Sequence, residues 1–181
     1  MAEPRPVVPL LLVVAAFSRH PEVLAWAREK IEATFGTIAL ESIPFDFVQT
    51  RYYAASMGDG LKKCFLVCDE LVMPERLAEV KLQTNRLEAE AAQIWSGRES
   101  RPLNFDPGLL SLGKFMLATT KDQAHRIYLR DGIFAEVTLH YHAGEFVLWP
   151  WTYADYQLPG VRDFLGCARE FYRLRLANRH R

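Results

Sequence analysis

The chain has 181 residues, of which 50% are hydrophobic and 24% are charged, the composition of an ordinary folded protein. Its 22 basic residues balance 22 acidic ones, so no overall charge attracts it to nucleic acid or to an anionic membrane. Three cysteines are too few for a disulfide framework, and the apolar stretch at residues 7–17 is too short to span a bilayer. We therefore expect one cytoplasmic domain that covers residues 1–181.

The first half of the chain predicts the order β-α-β-β-α. A valine-rich apolar run at residues 10–17 is typical of a strand that is covered on both faces. A helix follows from Pro21 to Gly36, with apolar residues at helical spacing. Residues 45–53 and 62–72 have the pattern of extended segments, and a second helix is expected from Pro74 to about Trp95.

The second half predicts an antiparallel meander followed by a helix. Its strands are expected at residues 114–120, 125–129, 133–142 and 145–149, and the closing helix at about residues 160–177. We see no domain boundary or repeat. The expected fold is α+β, a two-layer sandwich with a ferredoxin-like β-α-β-β-α start and a mainly antiparallel sheet extended by C-terminal hairpins and the closing helix.

The hairpin around Gly132 allows the pairing of two strands to be predicted. A two-residue loop, Asp131-Gly132, would place Ile127 opposite Glu136 and mix apolar with charged side chains on one face. A three-residue loop, Arg130-Asp131-Gly132, separates the two kinds of side chain and is our prediction. The core face then holds Ile127, Leu129, Ile133, Ala135, Val137 and Leu139. The opposite face holds Arg126, Tyr128, Phe134, Glu136, Thr138, His140 and His142, with Arg126 across from Glu136.

Residues 108–114 match the phosphate-binding pattern G-x-x-x-x-G-K. A P-loop requires a preceding strand, a following helix, and Ser or Thr after the lysine. Here a turn at Pro107 comes before the motif, a β-type run follows it, and Phe115 comes after the lysine. We predict a turn that enters a strand, without a phosphate cradle.

Three other groups of polar residues each have a functional and a plain structural interpretation. His140 and His142 alternate on a strand with Glu136 and could bind a metal, but a solvated sheet face gives the same pattern, and we predict no metal site. Lys121, His125 and Arg126 could hold phosphate or exchange protons, although a polar turn has the same composition. Lys81, Asn85 and Glu88 share one helix face, which solvent exposure also explains.

Taken together, these segments resemble an uncharacterised prokaryotic family, the domain of unknown function number 4416. The residues that carry the resemblance are Lys81, Thr84, Asn85 and Glu88; Asn104 with Asp106-Pro107-Gly108; Thr120-Lys121-Asp122 with His125-Arg126-Ile127-Tyr128-Leu129; Glu136-Val137-Thr138-Leu139; and Trp151-Thr152-Tyr153 with Asp155-Tyr156. The resemblance implies a small cytoplasmic prokaryotic protein and no established activity. It also singles out polar residues that folding alone would not need, namely Lys81, Asn85, Asp106, Lys121, Arg126, Glu136, Thr138 and Asp155.

Our leading hypothesis is that these eight residues converge on a mixed-charge pocket for an anionic metabolite or nucleotide. Lys81, Lys121 and Arg126 would hold the anion, while Glu136 or Asp106 would act as a catalytic base or bind a magnesium ion that accompanies a phosphorylated ligand. The remaining ligand-binding candidates are Asn85, Thr138 and Asp155. The alternative is a non-catalytic interaction module, which could be a dimer, that uses the aromatic residues Trp149, Trp151, Tyr153 and Tyr156. The sequence leaves catalysis and oligomeric state open.

Overall fold

The computed structural model describes residue 3 and residues 6–50, 52–97 and 99–179, except for the side chain of residue 179. The first half contains β1 (Leu10–Ser18), α1 (Pro21–Phe35), β2 (Ile38–Glu41), β3 (Phe45–Asp46), α2 (Ala54–Met57), β4 (Lys62–Val72), and a 3₁₀ turn (Pro74–Arg76) that leads into α3 (Leu77–Ile94). The second half contains β5 (Asn104–Leu110), β6 (Lys114–Thr119), β7 (Ile127–Arg130), β8 (Ile133–His142), β9 (Glu145–Leu148), a second 3₁₀ turn (Ala154–Gln157), and α4 (Pro159–Arg179).

The centre of the molecule has the ferredoxin-like order of strands. Within the described residues the strands form one sheet in the order β2-β4-β1-β5-β6-β8-β7, with β3 beside β4 and β9 beside β8. The segment β2-β4-β1-β5 is the four-stranded ferredoxin-like arrangement, in which β1 pairs antiparallel with both β4 and β5. The predicted α+β class, with a mainly antiparallel sheet and helices packed on it, is confirmed.

The fourth strand of this arrangement, β5, was predicted as a turn, and that prediction is wrong. Pro107 and Gly108 are typical turn residues, but here both lie within strand β5. Pro107 pairs with Val14 of β1, whereas β6 pairs with β5 only from Gly108 onward. Proline is therefore tolerated, because it lies where β5 has a single strand neighbour. A Cβ atom at position 108 would lie 2.5 Å from the carbonyl oxygen of Met116, so the close approach of β6 requires glycine there.

The β7–β8 hairpin has the predicted pairing but a different loop. Ile127 pairs with Ala135, which sets Arg126 across from Glu136 as expected. The loop, however, is the two-residue Asp131-Gly132 turn, with φ of 54° and 74°. Both values suit a type I′ turn, whose twist matches the strands. The extra residue lies in a bulge at Leu129, where the pairing shifts by one residue.

The predicted core face of this hairpin is wrong for β7. Ile127 is 72% exposed and Leu129 is 39% exposed, because β7 is the last strand of the sheet. Conversely, Glu136 and Thr138, which were assigned to the opposite face, are buried. On the side facing β6, residue 138 forms a second bulge, since Phe115 pairs with Leu139 and the next residue pairs with Val137.

The core lies on both faces of the sheet. Every residue of β1 is buried, and because successive side chains point to opposite faces, both faces must be covered there. Helices α1 and α3 contact each other and the sheet, while Phe164 of α4 stacks on Phe65. A smaller apolar cluster surrounds the end of β1 and consists of Phe17, Phe47, Met57 and Leu61. None of the described helices has the length and apolar character needed to cross a membrane.

Candidate functional site

A cavity of about 420 Å³ opens at one end of the sheet. β1 and β6 end there, and β4 and β5 begin there, so four strand ends and the loops beyond them meet around it. The wall consists of Phe47, Gln49, Thr50, Tyr52, Tyr53, Lys63, Lys81, Arg101, Asn104, Asp106, Leu117, Ala118, Thr119, Thr120, Lys121, Gln123, Arg126, Tyr153, Ala154, Asp155 and Tyr156. The volume lies within the range of about 300–1,000 Å³ that is usual for small-molecule sites.

The deepest charge in the cavity wall is Lys63, which is 1% exposed. Its ammonium donates a hydrogen bond to Asp155 at 2.6 Å and lies 3.8 Å from an oxygen of Asp106. Aromatic rings surround it at 4.6–5.6 Å from the ring centroids, namely those of Phe17, Phe47, Phe65 and Tyr156. Cation–π contacts and the carboxylates together stabilise a charge that would be costly to bury alone. We call Lys63, Asp106, Asp155 and Tyr156 the floor of the cavity.

A second buried charge cluster joins Arg126 to Glu136. The guanidinium donates to Glu136 at 2.8 Å, to the backbone carbonyl of Lys121 at 2.8 Å, and to the Tyr153 hydroxyl. Glu136 is also bonded to the Thr138 hydroxyl at 3.3 Å and lies 3.1 Å from Nε2 of His125. Arg126 thereby ties the loop that carries Lys121 to the sheet. Glu136 itself is not part of the cavity wall.

A third group of polar side chains links α3 to the start of β5. Lys81 donates to the carbonyl of Phe105 at 2.7 Å and lies 3.8 Å from Glu88. Arg101 donates to the other oxygen of Glu88 at 2.8 Å and to Asn104. Asn104 in turn donates to Asp106 at 3.0 Å. These contacts fix one wall and leave the Arg101 side chain 35% exposed.

Lys121 and Tyr52 form the mouth of the cavity. The Lys121 ammonium lies 3.8 Å from the centre of the Tyr52 ring, and both residues are exposed. A hydrogen bond with Lys121, together with the positive charge of its ammonium, lowers the pKa of Tyr52 from its ordinary value, because both favour the phenolate. Within the described part of the chain, Lys121 forms no ion pair with a carboxylate. A cation without such a partner is available to a ligand.

The charges in the wall are unequal. Five cationic side chains line the cavity against two carboxylates, those of Asp106 and Asp155. Burial raises the pKa of Tyr53, Tyr153 and Tyr156, and the Asp106 carboxylate contributes to each of these shifts. The tyrosine hydroxyls therefore stay protonated at neutral pH and act as neutral hydrogen-bonding groups.

The structure brings most of the predicted site residues to one place. Lys81, Asp106, Lys121, Arg126 and Asp155 line the cavity. Glu136 and Thr138 lie directly behind Arg126, while Asn85 is half-buried on α3 and is not part of the wall. Whether these residues bind a ligand stays a prediction.

Sequence reasoning missed Lys63 and Arg101. Lys63 stands beside Lys62 at the start of a strand, where lysines are usually exposed. Its burial could have been predicted from its position two residues before Phe65, because alternate residues of a strand share one face. Arg101 belongs to a polar loop whose composition does not separate it from its neighbours.

The other sequence motifs have structural explanations. In the segment 108–114, β5 ends, a turn follows, and β6 begins, with Ser111 accepting from the backbone amides of Gly113 and Lys114. The predicted turn lies at residues 111–113 and leads into β6, but residues 108–110, which were predicted as part of it, belong to β5. The His140 ring packs on Trp149 at 4.5 Å. Among the residues that the structure describes, no group of three His, Cys, Asp or Glu side chains could hold a metal ion.

Fold and cavity together define the class of protein: an α+β domain with a ferredoxin-like centre and a charged cavity at one end of its sheet. The family model of domain of unknown function DUF4416 matches residues 8–172, and the chain belongs to this family. Comparison with curated proteins and with solved structures gave no match.

Proposed function

We propose that this protein binds a small anionic metabolite, most simply a phosphorylated one, in the cavity at the end of its sheet. The observation that carries the proposal is Lys121, the lining cation without a described carboxylate partner, at the mouth of a cavity of about 420 Å³. The other four lining cations have carboxylates beside them, those of Asp106, Asp155, Glu88 and Glu136. Gathering like charges in a partly desolvated site costs stability unless a ligand or counter-charge offsets it. A phosphate offers that counter-charge and several acceptors at once.

The two most exposed cations of the wall make the direct contact with the anion. Lys121 forms no ion pair with a described carboxylate, and Arg101 keeps part of its guanidinium in solvent. Tyr52 and Tyr53 stand beside them and offer aromatic surface to a planar part of the ligand. Arg126 and Glu136 act as positioning residues, because their polar atoms are already hydrogen-bonded to the protein.

A cytoplasmic location in a prokaryotic cell is part of the proposal. The family resemblance implies it, and the three cysteines agree with it, because Cys64, Cys68 and Cys167 are free. Free thiols are typical of reducing compartments. Recovery of the protein from the soluble cytoplasmic fraction of its host, with all three thiols reduced, would test this point.

The alternative of an interaction module built on the aromatic cluster receives less support. The rings of Trp149 and Trp151 stack on each other at 5.2 Å, and His140 and His125 cover the two outer faces. Tyr156 is buried. Trp149 is 36% exposed and Tyr153 is 40% exposed, so the cluster offers a partner two partly exposed rings instead of a continuous aromatic surface.

A thermal-shift experiment tests the proposal. Inorganic phosphate, pyrophosphate, ribose 5-phosphate and AMP are added, each with and without magnesium. We expect at least one of them to raise Tm saturably, because a ligand at 100 times its Kd stabilises the native state by about 2.7 kcal/mol. That corresponds to a rise of roughly 5–10 °C for a chain of this size.

Variants make the experiment specific to the cavity. Lys121→Ala should abolish the rise in Tm, whereas Lys114→Ala, an exposed lysine on β6 outside the cavity wall, should preserve it. The proposal fails if no probe stabilises the wild type, or if both variants reduce the effect equally.

A further inference from the structure

The floor of the cavity contains polar groups with unused hydrogen-bonding capacity. Lys63 donates to Asp155, but its ammonium lies 3.8 Å from Asp106, which is too far for a hydrogen bond. The Tyr156 hydroxyl is buried and has no hydrogen-bond partner among the described residues. Buried polar groups are normally paired, so an unpaired one in a cavity wall indicates a missing partner.

Asp106 is the carboxylate of the floor that a ligand can reach. Its side chain is 28% exposed, compared with 6% for Asp155. The Asn104 amide donates a hydrogen bond to Oδ1 of Asp106 at 3.0 Å, and the other carboxylate oxygen faces Lys63. An oxygen atom of a ligand that lies beside this carboxylate and the Lys63 ammonium can be about 2.8 Å from both, because the two groups are only 3.8 Å apart.

The chemistry of that position selects one kind of group. The entering oxygen must accept a hydrogen bond from Lys63 and donate one to Asp106, and a hydroxyl group does both. An ionised phosphate has no proton to donate, and Asp106 and Asp155 repel it. A ligand with both groups therefore orients itself, with its phosphate at Lys121 and its hydroxyl at the floor.

We infer that the floor binds a ligand hydroxyl, so that the ligand is a hydroxylated phosphate ester, either a sugar phosphate or a nucleotide. The inference rests on the proposed function, because the phosphate of the same molecule is held at the mouth. Asp106 sets the specificity of the site for hydroxylated ligands, and Lys121 and Arg101 supply affinity for any phosphate ester.

Isothermal titration calorimetry with two matched probes tests the inference. Ribose 5-phosphate carries hydroxyls along a five-carbon chain, and pentyl phosphate has the same number of carbons without them. We expect the wild type to bind ribose 5-phosphate at least about tenfold more tightly, the usual effect of a hydrogen bond to a charged group. AMP is titrated in the same way. If AMP binds more tightly than ribose 5-phosphate, the ligand is a nucleotide; if ribose 5-phosphate binds more tightly, the ligand is a sugar phosphate.

Variants show which residues cause the preference for ribose 5-phosphate over pentyl phosphate. Asp106→Ala should bring the two affinities to within about twofold while retaining the binding of pentyl phosphate, whereas Asp122→Ala, an exposed aspartate outside the cavity wall, should change neither. Tyr156→Phe removes a single oxygen atom and should reduce the discrimination several-fold, which provides a readout if Asp106→Ala does not fold. Equal binding of the two probes by the wild type overturns the inference and leaves anion binding intact. If neither probe binds and AMP, inorganic phosphate and pyrophosphate also fail to bind, the proposed function is overturned as well.

Discussion

The two buried charge clusters of this protein differ in how completely they are paired. Glu136 is bonded to Arg126, Thr138 and His125, and it lies behind the cavity wall. Lys63 lies in the wall itself, with Asp155 in hydrogen-bonding distance, Asp106 at 3.8 Å, and aromatic rings on its other sides. The paired cluster holds the loop of Lys121 in place, and the partly paired cluster keeps hydrogen-bonding capacity for a ligand.

The largest expected effect comes from removing the carboxylate partner of Lys63. Asp155→Ala should destabilise the protein by about 3–5 kcal/mol, because it leaves a buried ammonium without its hydrogen-bonded counter-charge. Urea unfolding followed by circular dichroism measures the loss. Asp46→Ala breaks the exposed pair with Lys62 and should cost less than about 1 kcal/mol. Equal losses in the two variants would mean that the Lys63 pair behaves like a surface ion pair.

The paired cluster should respond less to the loss of a single charge. Glu136→Gln should cost about 1–3 kcal/mol, since the amide keeps the shape and one acceptor but loses the charge opposite Arg126. The same unfolding experiment measures it, with Glu145→Gln, at an exposed site 3.7 Å from Arg162, as the control with little effect. A loss larger than that of Asp155→Ala would reverse the ranking of the two clusters.

Alkaline pH tests the buried hydroxyl of Tyr156 in the floor. An unfolded tyrosine ionises near pH 10, whereas burial raises the pKa of Tyr156 well above that value in the folded state. The folded state therefore keeps its proton above pH 10, and stability falls as the pH rises. Tyr156→Phe should make this fall less steep by about 1.4 kcal/mol per pH unit. Urea unfolding of the wild type and of Tyr156→Phe at a series of pH values above 10 gives the two slopes.

The smallest effect on stability is expected at the mouth. Lys121→Ala should change the unfolding free energy by less than about 0.5 kcal/mol, because the side chain is exposed and forms no ion pair with a described carboxylate. The variant should thus lose the ligand response described above while it keeps the Tm of the ligand-free protein. A large drop in Tm without ligand would show that Lys121 belongs to the fold instead of the site.

Much of the fold could be predicted from the sequence, because periodicity reports burial within one element. The apolar run of β1 and the apolar stripes of α1 and α3 could be recognised without knowing which elements pack against them. β5 could not be recognised, since its proline and glycine are explained by the pairing and the close approach of other strands. The exposure of Ile127 likewise depends on its strand being last in the sheet.

The site was harder to predict than the fold for the same reason. The family resemblance singled out Asp106, Lys121, Arg126 and Asp155, but the sequence offered no way to join them to Lys63. Lys63 and Asp155 are 92 positions apart in the chain, and their contact exists only after the sheet and the second 3₁₀ turn have come together. A charge that looks exposed in the sequence is buried by residues from the other half of the molecule.

The open edge at β7 has a consequence for how this protein behaves at high concentration. An unpaired edge strand is a template for adding another strand, and proteins restrain it with charges, proline or a bulge. Here the restraints are the bulge at Leu129 and the charge of Arg130, set against the exposed side chains of Ile127 and Tyr128. We therefore expect self-association of the folded protein at high concentration to involve β7, a strand that contributes nothing to the cavity wall.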